Sequence, residues 1–144
     1  MIHPMTFTFQ SRIGLGTWQM GEAARSESDE VKAIEAAIQM GYRLIDTAEM
    51  YASGNAESLI GKALKIAGHS KRDQLQIVSK VLPSNASTKG TVAACEASIK
   101  RMSCDYIDCY LLHWQGSHSY EATIEGFSIA IHFCKSKVSK LLMP

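Results

Sequence analysis

The sequence lacks the features that mark several large classes of protein. Its apolar runs all fall short of the ~18 residues that a membrane-spanning helix requires. Fifteen basic and fourteen acidic side chains leave a formal net charge of +1, so no charge excess favours nucleic acid or an acidic membrane as a partner. The first residues do not show the basic and then apolar order of a signal peptide. We therefore expect neither a membrane nor a nucleic acid among its partners.

The cysteines also lack the spacing of a metal or redox motif. No Cys-x-x-Cys pair occurs, and no histidine stands at the spacing of zinc ligands. A metal site built on Cys104 and Cys109 is disfavoured, because Asp108 and Cys109 are neighbours on a predicted strand and point to opposite faces. Reduced thiols are typical of cytoplasmic proteins. We expect a cytoplasmic protein without a metal site.

What the sequence does contain is an alternation of strands and helices. Of its 144 residues, 46% are hydrophobic and 20% are charged, which is typical of a globular domain. Apolar runs rich in β-branched residues predict strands at 13–18, 43–46, 75–80 and 106–113. Each is followed by a segment of helical period, and successive strands start about 31 residues apart, the size of a βαβ unit. A shorter alternating stretch at 6–9 predicts a small hairpin.

This order predicts the α/β class with a parallel sheet and right-handed crossovers. Eight such units make a (β/α)₈ barrel of about 250 residues, and this chain holds four. For the helix ends we predict Ser28 and Ser119 as N-caps of the first and last helices, and Gly41 as a left-handed stop.

Polar side chains follow three consecutive strands where the strands end. Asp46, Lys80 and His113 stand at the ends of the second, third and fourth strands, and Tyr51 lies in the loop after Asp46. Any one of them alone would be read as a solvated loop charge or a half-buried packing residue. Because the carboxyl ends of parallel strands meet at one rim, the four together predict a shared site.

These side chains suit the reduction of a carbonyl group. A neighbouring ammonium lowers the pKa of a phenol, so Lys80 would make Tyr51 a better acid. Asp46 would hold Lys80 charged, and His113 would donate a hydrogen bond to a substrate oxygen. Such a site would protonate the oxygen while a nicotinamide delivers hydride to the carbon. An alternative is a Schiff-base lysine in an aldolase-like barrel, which the carboxylate of Asp46 disfavours.

Several motifs in order resemble the aldo-keto reductase family. The stretch IGLGTW at 13–18 is similar to the family's first strand, and GYRLIDTAEMY at 41–51 is similar to its most recognisable signature. The stretches IVSK at 77–80 and DYIDCYLLHW at 105–114 match the next two motifs. The resemblance runs from about Phe9 to Phe127. Within the family the chain resembles bacterial reductases of methylglyoxal-like 2-oxoaldehydes and of 2,5-diketo-gluconate.

This resemblance implies roles for the four polar residues. Tyr51 would be the general acid and Lys80 the residue that tunes it. Asp46 would pair with Lys80, and His113 would orient the substrate carbonyl. The function implied is the NADPH-dependent reduction of small aldehydes and ketones to alcohols.

The resemblance also implies cofactor and substrate contacts. The family binds NADPH in a (β/α)₈ barrel without a Gly-x-Gly-x-x-Gly fingerprint, and the sequence has no such motif. Gly16 and Thr17, with Asp46, would approach the nicotinamide. Trp18 and Trp114, with His113, would line the substrate pocket.

The sequence departs from the family pattern after Phe127. We expect residues 1–127 to form the N-terminal half of the barrel and residues 128–144 to form a divergent tail. We expect counterparts of strands five to eight, which in the family hold the carboxamide, the nicotinamide ring and the 2′-phosphate, to be missing. An alternative function is therefore an inactive truncated fragment or a pairing module. We expect an open sheet with unpaired first and fourth strands that self-associates through these edges.

Overall fold

Five parallel strands form one sheet in the order in which they occur along the chain. The computed structural model describes residues 11–133 and 140–142. The strands are β1 (Gly14–Gly16), β2 (Leu44–Asp46), β3 (Gln76–Val81), β4 (Cys109–Leu112) and β5 (Lys140–Leu142). Every neighbouring pair is parallel. This order confirms the predicted α/β class and its four leading βα units.

Helices connect the strands. They are α1 (Glu27–Gln39), α2 (Asn55–Ala67), α3 (His69–Arg72), α4 (Thr88–Met102) and α5 (Tyr120–Phe133). Two short 3₁₀ turns, Tyr51–Gly54 and Pro83–Asn85, follow β2 and β3. Helix α2 packs between α1 and α4, and α4 packs against α5. Within the described ranges, none of these helices has the length and apolarity needed to cross a membrane.

The prediction that the fourth strand forms an unpaired edge of the sheet is wrong. Strand β5 pairs with β4, with Cys109 opposite Lys140 and Leu111 opposite Leu142. The edge strands of the described sheet are therefore β1 and β5. The physical reason is that the open side of β4 offers a row of backbone donors and acceptors that a further strand satisfies. The expected boundary at residue 127 falls within α5 and stays a prediction.

Strand and helix ends differ from the sequence pattern in smaller ways. The first strand is shorter than predicted: it ends at Gly16, so Thr17 and Trp18 lie in the loop beyond it. The fourth strand begins only at Cys109. The predicted hairpin at 6–9 lies outside the described residues. Gly41 has a φ of +98°, which confirms it as the left-handed stop after α1. The Ser119 hydroxyl accepts a hydrogen bond from the Ala122 N–H at 3.3 Å, as an N-cap does.

The predicted cap Ser28 is wrong. Ser26 is the N-cap of α1, because its hydroxyl oxygen accepts a hydrogen bond from the Asp29 N–H at 3.2 Å. The same hydroxyl donates to the Asp29 carboxylate at 2.7 Å. Ser26 is favoured as the N-cap because an acidic residue stands three positions after it and bonds to its hydroxyl, whereas Ser28 lies within the first turn.

The main core lies between the sheet and its layer of helices. Its largest fully buried side chains include Ile34, Ile60, Ile77, Tyr110 and Phe127, and the rings of the last two meet edge to face. The isoleucine and phenylalanine side chains each contribute roughly 1.5–3 kcal/mol by their burial. Side chains alternate between the two faces of a strand, so the core also fixes which residues face the other side of the sheet.

Candidate active site

The alternation along β3 places Lys80 on the side of the sheet away from the helices. Ile77, Ser79 and Val81 are fully buried, whereas Lys80 between them is partly exposed. Asp46 ends β2, and His113 follows β4 directly. The backbone N–H of His113 donates to the Val81 carbonyl at 3.0 Å. The three predicted strand-end residues therefore share one rim of the sheet.

Lys80 is the centre of the site. Its Nζ donates to Asp46 Oδ1 at 2.8 Å, to the Thr47 carbonyl at 2.8 Å and to Tyr51 Oη at 3.3 Å. An ammonium has three donors, and all three have acceptors here. The nitrogen that a Schiff base would need free is thus engaged, which disfavours the aldolase-like alternative.

Tyr51 begins a turn of unusual backbone conformation. The next two residues, Ala52 and Ser53, have φ values of +49° and +53°, and Gly54 has +89°. A non-glycine residue in the left-handed region costs about 1–2 kcal/mol. Such conformations cluster where function requires a particular geometry. The turn sets the Tyr51 ring edge to face with the His113 ring, with 5.8 Å between centroids.

The environment of His113 favours its neutral form. Burial lowers the pKa of its imidazole from 6.5, and the Lys80 ammonium lowers it further, while Asp46 and Glu49 act in the opposite sense. Its Nδ1 is buried and has no hydrogen-bond partner among the residues described. An orphaned buried N–H is rarer than an orphaned acceptor, so we assign the proton to Nε2. The ring is then a neutral hydrogen-bond donor.

The remaining predicted residues are distributed as follows. Trp114 packs against His113 with 4.6 Å between ring centroids and is 47% exposed, whereas Trp18, in the loop after β1, is 68% exposed. Gly16 lies opposite Asp46 in the register of β1 and β2. Thr17 is fully buried, and its hydroxyl and N–H both donate to the Asp46 carbonyl, at 3.1 and 3.0 Å. The Thr17 side chain therefore anchors β1 to β2.

Glu49 is a residue of the rim that the sequence analysis missed. Its Oε1 accepts hydrogen bonds from the Leu82 N–H at 2.5 Å and from Asn85 Nδ2 at 3.1 Å. It thereby ties the loop that carries Tyr51 to the loop after β3. In the sequence Glu49 is marked only by its position two residues before Tyr51, and that position does not identify its hydrogen-bond partners.

Comparisons with known proteins identify the relatives of this chain. A model of the Aldo/keto reductase family matches residues 12–135. Methylglyoxal reductase YeaE of Escherichia coli is 49% identical over 112 residues, which cover 78% of this chain and 38% of the relative. Aldo-keto reductase YhdN of Bacillus subtilis is 41% identical, over 72% of this chain and 34% of the relative.

Solved structures give the same result. An aldo-keto reductase from Klebsiella pneumoniae, crystallised in complex with NADPH, superposes with a TM-score of 0.80 at 41% identity. The match covers 90% of this chain and 44% of that one, so the chain spans less than half the length of the relatives it matches. The chain belongs to the aldo/keto reductase family.

Proposed function

We propose that this chain takes part in the NADPH-dependent reduction of small aldehydes and ketones to alcohols. The observation that carries the proposal is the Lys80 ammonium bound between Asp46 and the Tyr51 hydroxyl, with the neutral His113 ring beside them. This arrangement can give a proton to a carbonyl oxygen and direct that oxygen at the same time.

The residues at the rim fit the nicotinamide end of NADPH. A Cβ built on Gly16 would meet no atom within 4 Å, so a flat ring has room beside the end of β1. Asp46 flanks that space, and the fully buried Thr17 would act on the cofactor only by holding Asp46, because its hydroxyl and N–H donate to the Asp46 carbonyl and its own carbonyl accepts from the Met20 N–H. The Klebsiella relative was crystallised with NADPH, which supports the same cofactor here.

The chain's own residues would divide the work as follows. When bound, the nicotinamide supplies the hydride that reaches the carbonyl carbon. The Tyr51 hydroxyl donates its proton to the carbonyl oxygen, and the adjacent Lys80 ammonium stabilises the phenolate that remains. His113 Nε2–H donates a hydrogen bond that orients the same oxygen. Asp46 holds the ammonium in place.

Methylglyoxal and related 2-oxoaldehydes are the substrates we propose. The 49% identity to methylglyoxal reductase YeaE supports this class. The exposed Trp114 ring beside His113 would provide an apolar wall for a short carbon chain, and Trp18 is proposed for the opposite wall.

The proposal is tested by binding and turnover together. NADPH should quench the tryptophan fluorescence in a saturable manner, and methylglyoxal should then be reduced with loss of NADPH absorbance. Lys80→Met should lower turnover at least about 100-fold, as expected for loss of assisted proton transfer. The matched control Lys89→Met, an exposed lysine of α4, should leave turnover unchanged.

Failure of this test has a definite meaning. Absence of saturable binding at millimolar NADPH would contradict the proposal and favour the alternative of an inactive fragment or pairing module.

Location and association belong to the same proposal. The thiols of Cys104 and Cys109 form no disulfide, which supports a reducing compartment such as the cytoplasm. We also propose that the chain self-associates through the edges of its sheet, because β1 pairs only with β2 in the described sheet.

A further inference from the structure

We propose that Glu57 and Arg101 are positioning residues, which act through Ser79 and Gly54 to hold Tyr51 against Lys80. This inference rests on the proposed function, because it concerns the same proton donor. Neither Glu57 nor Arg101 belongs to the site itself: they form a charge pair on the helix side of the sheet.

Glu57 connects to the strand that carries Lys80. It lies in the first turn of α2 and is fully buried. Its Oε1 accepts the Ser79 hydroxyl at 2.6 Å, and its Oε2 accepts Arg101 Nε at 2.6 Å. A buried carboxylate requires such partners. Because Ser79 directly precedes Lys80, the bond fixes β3 at that point.

Arg101 connects to the turn that carries Tyr51. A Cβ built on Gly54 would lie 2.7 Å from both Cδ and Nε of Arg101, so the arginine side chain packs directly against this glycine. The Ser58 hydroxyl also donates to the Gly54 carbonyl at 3.2 Å. Gly54 is the third of three consecutive residues with positive φ after Tyr51. A backbone of this kind persists only where its surroundings hold it.

The two connections complete a closed loop of contacts. One end reaches the residue before Lys80, and the other reaches the turn after Tyr51. On the opposite face of the sheet the loop closes where Lys80 Nζ donates to Tyr51 Oη at 3.3 Å. The Glu57–Arg101 pair therefore contacts the residue before Lys80 and the turn after Tyr51.

The test uses the double variant Glu57→Gln/Arg101→Met. Arg101→Met alone leaves a buried, unpaired carboxylate and is expected to destabilise the fold strongly. The double variant removes both charges, and the amide oxygen of the introduced glutamine can still accept from Ser79. The control is Glu27→Gln/Lys62→Met, which removes an exposed ion pair of the same 2.6 Å length. Ser79→Ala, which deletes a single hydroxyl, serves as a milder variant if the double variant does not fold.

The main readout is independent of activity. A nuclear Overhauser contact between the Tyr51 and His113 rings is measured in each folded variant, with the His113–Trp114 contact as internal reference. We expect the Tyr51–His113 intensity to fall by at least about half in Glu57→Gln/Arg101→Met and to be unchanged in the control. If turnover is observed, kcat should fall about tenfold or more while KM stays within about threefold. Full Tyr51–His113 intensity in the folded variant would overturn the inference, whereas a wild-type chain without turnover would count against the proposed function alone.

Discussion

At the scale of single residues, the candidate site is organised around the Lys80 ammonium, which donates to three acceptors. Lys80 uses all three of its donors, and one of the acceptors is the backbone carbonyl of Thr47. Asp46, Lys80, Tyr51 and His113 could be predicted from the sequence because each occupies a strand end or the loop after it. The Thr47 carbonyl could not, since any residue type offers one.

The protonation of His113 predicts a dependence of stability on pH. Burial and Lys80 lower its pKa below 6.5 in the folded state. Between that lowered value and 6.5 the unfolded chain binds a proton that the folded chain does not, so acidification favours unfolding. The stabilising contribution is complete above pH 6.5 and is lost as the pH falls through the folded-state pKa.

This dependence is measured by urea unfolding at about pH 7.5 and about pH 5. On acidification, the free energy of unfolding should fall less in His113→Gln than in the wild type. An equal loss in His113→Gln and wild type would contradict the assignment.

At the scale of elements, the start of α1 offers a direct comparison of two serines. Ser26 accepts the Asp29 N–H, whereas Ser28 lies within the helix. Ser26→Ala should lower the free energy of unfolding by about 1 kcal/mol. Ser28→Ala should change it by less than about 0.5 kcal/mol. Urea titration of both variants decides between them, and the reverse ranking would restore the cap predicted from the sequence.

The packing of α2 on α4 depends on Gly61. A Cβ at this position would lie 2.6 Å from the Arg101 carbonyl oxygen and 2.8 Å from the Met102 carbonyl carbon. Both atoms belong to the backbone of α4 and have little freedom to move. Gly61 therefore allows the two helices to approach closely.

Gly61→Ala tests whether packing outweighs helix propensity. Propensity alone predicts a gain of about 1 kcal/mol for alanine within a helix, whereas the overlap with α4 predicts a net loss of about 1–3 kcal/mol. We expect the loss, measured by chemical denaturation, with Lys65→Ala on the exposed side of α2 as a nearly silent control. A stabilised Gly61→Ala variant would contradict the close approach.

At the scale of the whole molecule, the described sheet is open. β1 pairs only with β2, and Ile13, just before β1, is 67% exposed. An apolar residue beside an open edge favours pairing with another chain, and a lysine there opposes it. We expect sedimentation velocity to show association that increases with protein concentration.

The substitution Ile13→Lys should shift this association toward the monomer. Ile66→Lys, which changes an exposed apolar residue of α2, is the matched control and should leave the association unchanged. A wild-type chain that stays monomeric at all concentrations would contradict association through the edges.

The order of the βα units and the four polar residues at the rim were determined by the sequence alone. Hydrophobic period and turn residues act over a few positions, and parallel strands necessarily bring their carboxyl ends together. Only the tertiary structure decided that β5 covers β4, and that Glu57 joins Ser79 to Arg101 across separations of 22 and 44 residues. Such contacts depend on how helices pack on the sheet, and no local pattern encodes which two distant side chains that packing brings within hydrogen-bonding distance.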